Sequence, residues 1–535
     1  MKIILDKGKT ADRPLIRSNS FKKATIILII GLLLSKVTGQ AREVLYGVVL
    51  QKPYLTDAYV QGFLIPDFIY ELLIGGSIQA ALIPTLAQAL GTEQEKKAWY
   101  DVSTFISFFS ILMFICLLLL EIFTQPILSL ISKSENLILT VQVARRLFPQ
   151  TFFMMGAGLT IGILNAHKLF TKTALGPGLY NIFVCLSLIL LGAASEKALL
   201  QVAWGISGSA AVYFIWQLFL ARRVITPLRL NLHFSRPGFR RLLLLALPTL
   251  FSASIAQLGN IILQAYTKTM PAGSATALRY ASTVWMLPYG IFTVAIGQVM
   301  LPTLSTCIGH NDPIKAGRML NKALRLVLLF ALPSALIFYA YRTEIMVGIF
   351  WWKNYLPSSA AANREYYDIL VNAGRILQFY CPAIIFQSII YIYNFAFYAH
   401  SITVIPLVNA AVSLLLTLGL GYIAEQRQEI SGLSLAFAVS TLFIALLLQA
   451  LYHHRFKPEK LRNFAYFIWQ NWVALTILAL YLLVEVHVSA RIPYVNKLFS
   501  LAVIGARALV AYAVYLVAAY LVGIKEIKEI RHLWH

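Results

Sequence analysis

Charge is scarce in this chain, and acid is scarcer still. Only 13% of the 535 residues are charged, and Asp and Glu total 22 against 45 Lys and Arg. So few charges cannot cover the surface of a soluble domain of this length. Cysteine is rare too: Cys116, Cys185, Cys307 and Cys381 stand singly in apolar stretches, without C-x-x-C spacing. That excludes a disulfide framework and a zinc module, and the four read as reduced packing residues. There is no P-loop, no G-x-S-x-G and no H-E-x-x-H, so ATP-driven transport needs a separate subunit. No aspartate pair marks an inner loop, which argues against a membrane glycosyl- or prenyl-transferase. His453-His454 sits in a basic segment, a solvated face rather than a metal site.

What is abundant is apolar sequence. Hydrophobic residues make up 59% of the chain and mean hydropathy is +0.72. Runs of about 20 apolar residues are long enough to cross a bilayer. Fourteen such stretches are read at 24–50, 57–89, 99–124, 138–166, 174–194, 198–221, 242–267, 274–306, 323–349, 367–398, 402–423, 430–452, 464–486 and 498–523. The longer ones are expected to tilt or kink, with Pro66, Pro84, Pro288 and Pro302 as the causes. The expected class is an all-α polytopic membrane protein. The basic N-terminus runs into the first span with no A-x-A-like site, as expected of a cytosolic tail before a retained helix.

A net charge of +23 would suit nucleic acid, but its distribution points elsewhere. With the N-terminus inside and the spans alternating, 28 Lys and Arg fall in inside segments, 10 outside and 7 within spans. That is the positive-inside bias of an even number of helices with both termini cytoplasmic. The charge reports topology, and no nucleic acid partner is expected.

The first twelve spans repeat. Ala144-Arg145-Arg146-Leu147 matches Ala373-Gly374-Arg375-Ile376, and at the same offset Asn165 falls on Asn394 and Pro177 on Pro406. Ile206-Ser207-Gly208 returns as Ile430-Ser431-Gly432, and Leu82–Leu86 as Met300–Leu304. Each half holds six spans, so the halves share one orientation, as in parallel-repeat transporters. The expected division is a basic cytosolic tail at 1–23, a first lobe at 24–221, a basic cytosolic linker at 222–241, a second lobe at 242–455, and spans 13 and 14 with a cytosolic tail at 456–535.

With Arg325 and Arg342, near the ends of span 323–349, counted with the adjoining connections, the seven cations within spans are Lys36, Arg42, Arg145, Arg146, Arg279, Arg375 and Arg507. Each costs at least roughly 2.5–3.5 kcal/mol in hydrocarbon, so such residues face a polar cavity or a partner. Several in one bundle suit an anionic substrate; a cavity for organic cations should instead be acidic, which weighs against a multidrug/cation antiporter. Lys36 and Arg42 are roughly 240° apart on a straight helix, and Gly39 permits a bend between them. Arg145, Arg146 and Arg375 lie near outer span ends, in symmetric positions that would suit an outer gate. Arg507 reads as interfacial or paired with another helix. Asp57 is expected to cap span 2 from outside. Asp67 and Glu71 share a face near Glu43, placed either to bind Na⁺ or H⁺ or to neutralise Arg42.

Three segments are longer than chance motifs: SKVTGQARE (Ser35–Glu43), DAYVQGFLIPDF (Asp57–Phe68) and GGSIQAALIPTL (Gly75–Leu86). With RRLFP at Arg145–Pro149, Asn165, Phe170, Pro177 and Asn181, and PYGIFTVAIGQVMLPTLS at Pro288–Ser305, they resemble MurJ/MviN-type lipid II flippases of the multidrug/oligosaccharidyl-lipid/polysaccharide exporter superfamily. The resemblance implies a V-shaped transporter in a bacterial inner membrane. It would carry a lipid-linked peptidoglycan precursor from inner to outer leaflet for cell wall synthesis. It implies a head-group site at Lys36, Arg42, Glu43, Asp67 and Arg279, with spans 13 and 14 forming a groove for the lipid tail. Membrane lipids and cell-wall synthesis proteins are the expected partners. No cofactor is expected beyond coupling to membrane potential or a monovalent cation. The chain departs from the family pattern at several places. Lys36 and Tyr70 stand where the family has arginine, Asp67 where it has asparagine, and Thr283 where the eighth helix has arginine, with Arg279 one turn away as a substitute. Those departures keep open a flippase for another polyprenyl-diphosphate-linked polysaccharide.

Overall fold

The computed structural model describes residues 18–527 apart from 51, 75–81, 91, 132–135, 168, 295, 298–299, 301–303, 305–306, 309–311, 352–359, 401, 403, 457–461 and 489–496. Among the described residues there is no strand. The helices are α1 (Ser18–Leu50), α2 (Pro53–Gly62), α3 (Leu64–Ile74), α4 (Ile83–Ala89), α5 (Glu95–Ser129), α6 (Leu137–Ala166), α7 (Phe170–Thr173), α8 (Gly176–Leu191) and α9 (Glu196–Ala221). The second half continues with α10 (Pro237–Ala265), α11 (Ser274–Pro288), α12 (Pro313–Ala340), α13 (Arg342–Phe350), α14 (Ala360–Ala399), α15 (Val404–Gln426) and α16 (Ile430–Phe456). Last come α17 (Arg462–Val488) and α18 (Lys497–Leu521). Each of the fourteen apolar stretches carries helix. Among the described residues, nine helices are long and apolar enough to cross a membrane unaided.

Prolines break the helices where backbone donors go missing. The stretch at 57–89 is not one helix: α2 ends at Gly62, Phe63 forms a turn, and α3 restarts with Pro66 in its first turn. Proline has no N–H to give the carbonyl of Gly62, and its ring fits best in a first turn. In α11, Pro288 is followed by a π-helical turn at Tyr289–Thr293, where the chain re-forms its ladder with wider hydrogen bonds.

The sequence repeat is a repeat of packing. Helix α6 lies on α9 as α14 lies on α16, and α8 on α9 as α15 on α16. Likewise α5 meets α6 as α12 meets α14, α2 meets α6 as α11 meets α14, and α1 meets α8 as α10 meets α15. The hairpin of α17 and α18 stands outside this scheme, against α12 and α13. An Arg325–Glu526 pair, 3.2 Å, and the Tyr512 hydroxyl donating to the Phe330 carbonyl fasten it to α12, while an Arg507–Glu485 pair, also 3.2 Å, joins its two helices. Arg507 thus has a helix partner.

The apolar core shows how the halves are joined. One cluster runs through both, including Tyr46 and Tyr59 of the first and Tyr280, Phe350 and Tyr366 of the second. Two further clusters stand beside it: one lies in α3–α6 with the start of α10, so it too joins the halves, and another lies in α12, α14 and α16.

Candidate functional site

The site forms where the halves meet below their shared core. Helix α1 presents Arg42 and Glu43 as neighbours, and α11 of the other half presents Arg279. Glu43 is buried and accepts from both guanidiniums. Its Oε1 takes Arg42 Nη2 and Arg279 Nη2, each at 3.0 Å, and its Oε2 takes Arg279 Nε at 3.3 Å. Arg42 Nη1 also donates to Asn181 Oδ1 of α8 at 3.3 Å, and Asn181 Nδ2 donates to the Ser35 carbonyl at 3.3 Å. One amide thereby sets the rotamer of Arg42 and ties α1 to α8.

Two cations share one carboxylate, so the cluster keeps a unit of positive charge. Each guanidinium has five N–H donors, and the contacts above leave several free. Asp67, partly exposed in the first turn of α3, is within electrostatic reach of Arg42 and Arg279. Its neighbour Glu71 is one turn on. Thr283 donates its hydroxyl to the Arg279 carbonyl at 3.0 Å, which places it on the same face one turn along α11.

The other candidate cations are elsewhere. Lys36 is exposed on α1 and makes no part of the Glu43 cluster. Arg145 pairs with Glu121 of α5 at 3.1 Å within its own half. Arg146 donates to the Gln142 carbonyl one turn back, while Arg375 is exposed. No hydrogen bond or ion pair among the described residues joins Arg145, Arg146 and Arg375.

The closure between the halves is built instead from an acid and a set of rings. Asp57 does not cap its own helix. It lies in the second turn of α2 and caps α11 across the interface: its carboxylate accepts from Gly273 N at 2.8 Å, Thr276 N at 2.9 Å and the Thr276 hydroxyl at 2.7 Å. The bare amides of a helix N-terminus draw an anion wherever one is within reach, and tertiary packing puts α11 there. Gly273, at φ +83°, allows the tight approach. Beside this cap Tyr59 stacks on Tyr46 at 4.6 Å, Tyr46 meets Tyr280 at 5.6 Å, and Tyr280 stacks on Phe350 at 3.9 Å. Gly47 makes room for them, since a Cβ there would sit 1.7 Å from the Tyr280 hydroxyl. The aromatic closure was not foreseen from sequence. A glycine inside an apolar helix is the signal of a close approach, but nothing in sequence says to what.

Comparison with known proteins follows this geometry. Residues 50–505 match the family model described as lipid II flippase MurJ. The chain is 27% identical over 428 residues to the lipid II flippase MurJ of Burkholderia cenocepacia, covering 78% of this chain and 80% of that one. It is 23% identical over 460 residues to the probable lipid II flippase MurJ of Buchnera aphidicola subsp. Acyrthosiphon pisum, covering 85% and 88%. A solved structure of lipid II flippase MurJ in an inward closed conformation aligns with TM-score 0.73 at 20% identity, covering 92% of this chain and 98% of that one. An inward-facing multidrug resistance MATE transporter of the MOP superfamily aligns with TM-score 0.65 at 15% identity, covering 81% and 98%. The fold is that of the superfamily, and the match spanning most of the sequence is specific: the chain belongs to the MurJ family of lipid II flippases.

Proposed function

We propose that this multi-pass membrane protein translocates lipid II, a polyprenyl-diphosphate-linked peptidoglycan precursor, from the inner to the outer leaflet of a bacterial cytoplasmic membrane. The observation that carries the reading is the meeting of Arg42 and Arg279, one from each half, on the single carboxylate of Glu43. A diphosphate diester brings two negative charges and several acceptor oxygens. Each charge about 4 Å from a guanidinium gains roughly 4 kcal/mol at an effective dielectric near 20, which offsets its loss of water. When no substrate is bound, Glu43 keeps the two cations from repelling one another.

With both termini cytoplasmic, the end of the bundle closed by Asp57 and the aromatic stack faces outward, and the head group enters from the opposite end. A head group would rise between the lobes while its polyprenyl tail stays in lipid. Contact with Arg42 and Arg279 draws the lobes together around it. The outer closure then parts, and the head group leaves on the other side. In this reading Asp67 and Glu71 take a monovalent cation that drives the return; membrane potential acting on the charged cluster is the alternative source. Tyr70 and Thr283 stand at family arginine positions and favour one second reading, a flippase for another polyprenyl-diphosphate-linked polysaccharide.

The test is complementation of a strain depleted of its native lipid II flippase. Rescue by the wild-type chain, lost in Arg42→Ala and in Arg279→Ala at equal protein level, is the expected result. No rescue by the wild type, with restored export of a different lipid-linked polysaccharide, would favour the second reading.

A further inference from the structure

A cleft of about 230 Å³ opens inside the first lobe, directly behind Arg42. Its floor is Tyr180, Asn181 and Tyr213, all buried, and its partly exposed walls include Tyr70 and Met154, with exposed Pro177 at the rim. Asn181 is the residue that holds Arg42, and Tyr180 is an electrostatic neighbour of both Arg42 and Asp67. The Tyr180 and Tyr213 rings lie 6.0 Å apart, tilted by 40°. Buried Gln217 sits beside the Tyr213 hydroxyl without a hydrogen bond of good geometry. The cleft therefore offers three phenols and one amide around a small volume, with the Gln217 amide behind Tyr213 and the Asp67 carboxylate nearby.

We infer that this cleft is a sugar subsite, taking the first hexose of the lipid-linked substrate while Arg42 holds the adjoining diphosphate. The chemistry is that of a pyranose: its C–H face packs on aromatic rings, and its hydroxyls and amide bond to phenol, amide and carboxylate groups. The order of groups fits as well. In the lipid-linked substrate the sugar follows the diphosphate directly, and here the tyrosine cleft adjoins the guanidinium. Tyr70 gains a role by this assignment. Its ring forms part of the cleft wall, where the C–H face of a sugar would pack. The inference rests on the lipid-linked diphosphate reading above and adds a preference for the sugar-bearing form.

The experiment uses the full chain in nanodiscs and two probes: undecaprenyl diphosphate, and the same lipid carrying one N-acetylhexosamine. Wild type should bind the sugar-bearing probe more tightly. Tyr70→Leu, and Met154→Trp that fills the cleft, should each weaken that probe about tenfold. Binding of the sugar-free probe should change by no more than about twofold, which also shows the variants are folded. Tyr70→Phe should keep the preference, and Arg42→Ala should weaken both probes. Equal binding of the two probes by wild type, or equal loss of both in Tyr70→Leu and Met154→Trp, would overturn the subsite and leave the flippase reading standing. Failure of wild type to bind either probe would overturn both.

Discussion

Gly47→Ala is the most informative single change, because it adds one methyl group where the two halves touch. The new Cβ would lie 1.7 Å from the Tyr280 hydroxyl and 2.9 Å from that of Tyr366, against 3.4–4 Å for ordinary contact. Relief requires Tyr280 to retreat by roughly 2 Å. It has nowhere to go: it is wholly buried, stacked on Phe350 at 3.9 Å and packed against Tyr46. Overpacking of this kind costs about 1–3 kcal/mol. The gain of about 1 kcal/mol in helix propensity applies in every conformation and cancels. The cost falls only on the closed arrangement, so the closed-to-open ratio should drop by roughly 5- to 150-fold. Spin labels at Lys52→Cys and Ala272→Cys flank the contact between Pro53 and Gly273 and report the gap between α2 and α11. The parent should show one short distance, and Gly47→Ala a longer, broader distribution with reduced transport. Adding Tyr280→Phe removes the nearest oxygen and should recover part of the short distance. An unchanged distribution with full transport, at normal protein level, would refute the closure.

Asp57→Ala removes three hydrogen bonds to the start of α11 and should destabilise the closed form by about 1 kcal/mol. The same labels should then separate, with Asp57→Asn intermediate; equal distances in all three proteins would exclude the cap as a latch. Glu43→Gln leaves Arg42 and Arg279 without their shared anion. Its melting temperature should fall, and undecaprenyl diphosphate should raise it more than in wild type; no difference in either measurement refutes the exchange of carboxylate for diphosphate. Arg279→Ala should impair transport, and Arg279→Ala/Thr283→Arg should restore part of it, since the two positions are one turn, about 5.4 Å, apart; normal growth of the single variant would dismiss the substitution. A reporter after His535 should be cytosolic and one near Ser358 external, and the reverse result would invert the outer and inner assignments.

By itself the sequence determined the elements and their repetition. Apolar runs of membrane length can only become helices in lipid, where every backbone group must be satisfied internally. A basic bias in alternate connections gives their expected orientation, and matching motifs in the two halves fall on helices that pack alike. Embedded cations were legible as candidates because charge is costly in hydrocarbon wherever it sits. Tertiary structure decided which of those cations belong together. Lys36, Arg42, Arg145, Arg146, Arg279 and Arg375 look alike in a linear reading. Yet only Arg42 and Arg279 reach Glu43, while Arg145 is occupied by Glu121. Asp57 shows the same limit. Its acid was readable as a helix cap, but the helix it caps lies 216 residues away at Gly273. Local rules name the group a side chain seeks; only packing of one half against the other supplies the partner, because pairing energies fall off within a few ångströms and those distances are set by the whole bundle.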